Sequence, residues 1–104
     1  MPTAPERAWQ QIEEVELAVP GVTAGTGFGR NAGLRIAGRI FAIRTADAVV
    51  VKLPASRADE LVTAGIAEPW GPGSRIMKEW VAIPDADRSS WPGLVAESRA
   101  FVAS

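Results

Sequence analysis

The sequence contains neither cysteine nor histidine. Without cysteine there is no disulfide framework, no thiol nucleophile and no thiolate metal site, a pattern that fits a reducing compartment. Without histidine the commonest general base is missing. No apolar run comes near the roughly 18 residues that a membrane span requires, and the N-terminal MPTAPERAWQQIEE is polar and acidic, unlike a secretory signal. These absences predict a cytoplasmic protein with no membrane partner. A surplus of charge is lacking too: the formal net charge is −1, whereas nucleic-acid-binding domains are usually basic overall.

What is present is the composition of an ordinary folded globule, 47% apolar and 22% charged over 104 residues. That length suits a single domain over residues 1–104, with a real core and no room for a second. The charge is segregated along the chain. From Arg30 to Arg57 there are six cations, Arg30, Arg35, Arg39, Arg44, Lys52 and Arg57, against one acid, Asp47. The first helix carries Glu6, Glu13, Glu14 and Glu16 against Arg7. A basic segment in a near-neutral protein reads either as solvated sheet surface or as an anion-binding footprint.

Thr3-Ala-Pro-Glu6 has the spacing of a capping box and predicts a helix from Thr3 to Pro20-Gly21, with Ala8, Ile12, Val15 and Val19 as its buried stripe. Gly21–Gly33 reads as a glycine-rich connection anchored by Phe28. It matches neither phosphate-loop spacing and runs into a strand, where a phosphate loop would run into a helix. Gly33–Leu53 then reads as two hairpins with a period of two. Leu34, Ile36, Phe41, Ile43, Val49, Val51 and Leu53 face inward, and Arg35, Ala42, Arg44, Val50 and Lys52 face outward, with a turn at Gly38-Arg39. A helix Arg57–Ala64 capped by Ser56, a short strand Ile66–Trp70, a turn-rich loop Gly71–Arg75 and a strand Glu79–Ile83 follow. After a polar connection Asp85–Ser90, Ser90 caps a terminal helix whose stripe is Trp91, Leu94, Val95, Ser98, Phe101 and Val102. The order predicts an α+β domain of two layers, a five-stranded antiparallel sheet with helices mainly on one face.

No catalytic constellation stands out. Glu13, Glu14, Glu16, Asp59 and Glu60 fall on predicted solvent faces of helices, and Asp85 and Asp87 lack the oxygen run of a calcium loop. The sequence therefore predicts a non-enzyme with no metal and no cofactor. Of the four tryptophans, Trp9 and Trp91 read as core and Trp80 as packed in its strand. Trp70, in Pro-Trp-Gly-Pro-Gly and near Arg75 and Lys78, reads as a lid over the core or as a base-stacking residue. A small-ligand pocket beneath the glycine-rich loop, lined by Phe28, Trp70 and Trp80, is a further reading.

Taken together, GFGRNAGLRIAGRIFAI, VVVKLPASRADELVTAG, EPWGPGSRIMKEWVAI and WPGLVAESRAFV resemble, in order and spacing, the MmcQ/YjbR-like proteins and the related TfoX N-terminal domains of bacteria. The resemblance covers nearly the whole chain. It implies a fold of one helix, three strands, a helix, two strands and a helix, similar to that of secretion chaperones. It also implies DNA binding through a double wing. The wings would be the hairpin tip at Gly38-Arg39 and the Gly71–Arg75 loop, with Arg30, Arg39, Arg75 and Lys78 on phosphates, alongside a basic sheet face of Arg35, Arg44 and Lys52. The alternative is a protein-interaction or chaperone-like module that covers a partner, or a second copy of itself, with the outer face around Ile40, Ala42 and Val50.

Overall fold

Thr3 begins the first helix as its spacing predicts: Thr3 Oγ1 accepts the Glu6 backbone N–H at 3.3 Å, and Pro5 lies in the first turn. The computed structural model describes residues 1–26, 32–71 and 75–104. Its elements are α1 (Ala4–Leu17), β1 (Val22–Ala24), β2 (Ala32–Ile36), β3 (Arg39–Arg44), β4 (Ala48–Lys52), α2 (Ala55–Thr63), β5 (Glu68–Trp70), β6 (Met77–Pro84), a 3₁₀ helix (Asp85–Ser90) and α3 (Trp91–Ala103). The strands form one antiparallel sheet in the order β1-β2-β3-β4-β6-β5. The protein is thus α+β, and its described residues form three α-helices and a sheet of six strands where five were expected.

The additional strand is β1, which lies in the glycine-rich connection and pairs Val22 with Ile36. Three residues are too few to display a period of two. Two helix starts also differ from expectation. Pro54 takes the N-cap place of α2 and the helix opens at Ala55, so Ser56 is already inside it. Asp85–Ser90 is helical, and Ser90 makes no side-chain cap bond because its backbone (φ −84, ψ −16) already runs on into α3.

All three helices pack on one face of the sheet. Trp9 and Ile12 of α1, Ala58 and Leu61 of α2, and Trp91, Leu94 and Val95 of α3 share a core with Leu34, Phe41, Val49, Val51 and Ile83. Each large side chain so buried contributes about 1.5–3 kcal/mol. In α1 the buried residues are Trp9, Ile12 and Glu16, while Val15 is 66% exposed. The expected inward Val15 and solvent-facing Glu16 are therefore reversed. The helix turns to bury the larger Trp9 ring, and Glu16 enters with a partner, its Oε1 accepting the Arg99 Nε–H at 2.7 Å.

The central hairpins depart from simple alternation at a bulge. Leu34 pairs with Ala42 but Arg35 pairs with Ile40, leaving Phe41 as an extra residue. Phe41 and Ala42 consequently both reach the helix-side core, and Ile43, paired with Val50, turns to the opposite face. This corrects three assignments: Ala42 is inward, Ile43 is outward, and Arg44 lies on the helix side. Arg44 Nη1 donates to Asp85 Oδ1 at 2.8 Å and to the Ala48 carbonyl at 3.0 Å, and its guanidinium carbon stands 5.0 Å from the Trp91 ring centre. A paired, stacked guanidinium can occupy that position, where an unpaired one would be costly. The turn also moves by one residue, to Ala37-Gly38, both with positive φ (51° and 80°), the pattern of a type I′ turn.

Candidate nucleic-acid interface

The antiparallel register brings two connections to the same end of the sheet. Ile36 pairs with Arg39 beside the β2–β3 turn, Lys52 pairs with Trp80, and Trp70 pairs with Met77 beside the β5–β6 connection. β3 and β6 flank β4. The start of β3, the end of β4 and the start of β6 therefore present Arg39, Lys52 and Lys78 together, although 39 positions separate the first from the last in the chain.

Lys52 and Trp80 are the centre of this end. With Arg39 and Ile40 they line one groove of about 610 Å³, and with Met77, Lys78 and Glu79 another of about 440 Å³. Trp80 is half-buried and held from beside by Trp70, with ring centroids 5.9 Å apart and planes inclined by 51°. Both rings rest on a small second core of Ile43, Ala48, Val50 and Ala82. The outer face thus carries an apolar cluster that is already closed: Val50 is 0% and Ile43 2% exposed. An open apolar patch there, the reason for expecting a partner or a second copy on that face, is not what Val50 offers, and Ala42 is not on that face at all.

The cations divide into two groups. Arg44 is bound to Asp85, and Arg57 to Glu97 (3.1 Å) and Glu60 (3.4 Å), with the hydrogen bonds that Arg57 donates to Glu97 holding its guanidinium above its ordinary range. Arg39, Lys52, Arg75 and Lys78 take part in no ion pair among the described residues. Arg39, Arg75 and Lys78 are exposed and Lys52 is half-buried. Arg35 lies farther along the same face as Lys52, between Thr23 and Ile40, with its Nε enclosed and without an acceptor. Arg30 and Phe28 lie outside the described residues, as does part of the Gly71–Arg75 loop. Trp70 and Trp80, expected to line a ligand pocket with Phe28, stand beside each other with ring centroids 5.9 Å apart.

Among the described residues, Glu79 is the one acidic side chain lining the two grooves, against Arg39, Lys52 and Lys78. An end of a sheet with unpaired cations around an accessible indole can neutralise phosphates and stack a base. Among the described residues no group of three or more potential metal ligands converges, and no helix is long and apolar enough to cross a membrane. Sequence reasoning named the cations one by one but missed the Lys52–Trp80 pairing that joins them, which only the strand register reveals. No family model, curated protein or solved structure matches this chain.

Proposed function

We propose that this chain is an MmcQ/YjbR-like, double-wing module that binds the phosphate backbone of DNA, with Arg39, Lys52, Arg75 and Lys78 as its phosphate contacts. One observation carries the reading: among the described residues these cations, unlike Arg44 and Arg57, have no acid partner, and Arg39, Lys52 and Lys78 line the two grooves that share Trp80. The β2–β3 turn and the strand ends that lead into the Gly71–Arg75 loop, the two places that the family resemblance marks as wings, flank this group. Counted in strands, the β2–β3 and β6–β5 hairpins are three spacings apart from centre to centre, roughly 14 Å. That matches the scale of a DNA groove, about 12 Å for the major groove. The module is a binder and not a catalyst, and its work is done by surface charge.

With few contacts and a net charge of −1, the affinity is modest and strongly salt-dependent. Fluorescence anisotropy of a short labelled duplex, followed from roughly 50 to 200 mM salt, tests this. Three to four neutralised phosphates give a log–log slope of about −3. Absence of binding at the low-salt end, or binding indifferent to salt, contradicts the proposal.

A further inference from the structure

Two adjacent residues of α1 have inverted burial. Val15 is 66% exposed and Glu16 only 3%, the opposite of what an apolar side chain and a carboxylate favour. Both line a cleft of about 550 Å³ between α1 and the segment formed by the 3₁₀ helix and the first turn of α3. Its apolar walls are Ala8, Ile12 and Val15 on one side and Ala86 and Pro92 on the other, with Gln11, Arg88 and Ser89 adding polar groups. A concave, mainly apolar space of this size with a few converging polar groups has the form of a small-molecule site.

Glu16 defines its chemistry. Oε1 accepts the Arg99 Nε–H at 2.7 Å. Among the described residues Oε2 accepts no hydrogen bond, and it is not fully sealed from solvent. The cleft is the cavity that Glu16 lines, and it is the space from which a donor can reach this oxygen. A carboxylate oxygen this deep calls for a donor. Arg99 already balances the negative charge, so a second cation buried here would be left uncompensated. A neutral O–H or N–H meets the need without that cost. We infer that the cleft binds a small molecule with a branched or aromatic apolar body and a neutral hydroxyl or amide donor directed at Glu16 Oε2. The site shares no residue with the proposed DNA interface and stands or falls separately from it.

Titration of ¹⁵N-labelled protein with isoamyl alcohol, isoamyl methyl ether and isoamylamine reads this directly. The alcohol is expected to give saturable shifts at the amides of Gln11–Glu16 and Ala86–Ser89, and to bind at least about tenfold more tightly than the ether, which lacks the donor. Ala86→Phe, at an exposed position on the wall, fills the cleft and abolishes those shifts while leaving the rest of the amide spectrum in place. The inference is overturned if the alcohol gives no saturable shift or if ether and alcohol bind alike. It is equally overturned if the amine binds more tightly than the alcohol, or if Ala86→Phe binds the alcohol undiminished.

Discussion

Ser98 repairs the sheet at a single point. The bulge leaves Phe41 opposite Lys52 without a direct ladder bond, and the Ser98 hydroxyl stands between them, donating to the Phe41 carbonyl at 2.7 Å and accepting the Lys52 N–H at 3.1 Å. Ser98→Ala orphans two backbone groups, and at about 1–3 kcal/mol for each the variant is expected to lose roughly 2–6 kcal/mol in urea denaturation. A loss within about 0.5 kcal/mol, the range of ordinary surface substitutions, would rule out this bridging role. The two arginine–glutamate pairs that tie α3 to other elements are expected to differ in the same assay. Arg99→Ala strands Glu16, whose side chain is 4% exposed, and costs about 3 kcal/mol. Arg57→Ala breaks an exposed pair with Glu97 and costs at most about 1 kcal/mol. Equal losses would mean that Glu16 is less enclosed than its position implies. Ser98 belongs to the apolar stripe that periodicity reveals, but its hydroxyl has no visible purpose until the bulge is known. Glu16 looks like solvating charge because its partner lies 83 positions away.

At the scale of elements, the β2–β3 hairpin shows how a local pattern misleads. Gly38 suggests a turn with glycine at its first central position, yet the chain turns at Ala37-Gly38 and places an alanine at φ 51°. The run IFAI fits either register, because Ala42 and Ile43 are both apolar and either can be buried. The charge on Arg44 suggests an outward position, and only Asp85 and Trp91, far along the chain, permit the inward one. Longer or better-marked elements were legible: α1 from its capping box, β4 from its valines, and α3 from its stripe with Pro92 in the first turn. β1 was too short, and DADRSS too polar, to be read as structure. The left-handed Ala37 carries strain of about 1–2 kcal/mol. Ala37→Asn creates the Asn-Gly pair that such turns favour and is expected to stabilise the protein by about 1 kcal/mol. An unchanged or lowered denaturation midpoint would contradict the turn geometry.

For the whole molecule, the sequence supports an α+β chain with helices on one side of an antiparallel sheet, and the structure has that arrangement with one more strand. Its cations are visible in the sequence, but their fates are not. Arg35, Arg44 and Lys52 look equivalent by alternation, and the bulge sends Arg44 to the helix side while Lys52 remains beside Trp80. Convergence of Arg39, Lys52 and Lys78 is a property of strand order and register, which no spacing along the chain encodes. The glycine-rich segment fits the same view. At Gly33 a Cβ would collide with Thr26 Cγ2 and stand 2.8 Å from the Ala42 carbonyl oxygen, so at least this glycine serves close packing over the sheet. Matched charge reversal shows whether the proposed phosphate contacts at one end of the sheet bind DNA. Lys52→Glu with Lys78→Glu is compared with Arg7→Glu and Arg57→Glu, which change the net charge equally at other sites, by anisotropy on the same duplex at low salt. The first pair is expected to weaken binding by at least about tenfold, through the loss of two phosphate contacts, and the second to leave it within about threefold. Equal weakening by both pairs would contradict the proposal, because binding would then follow total charge and not this end of the sheet.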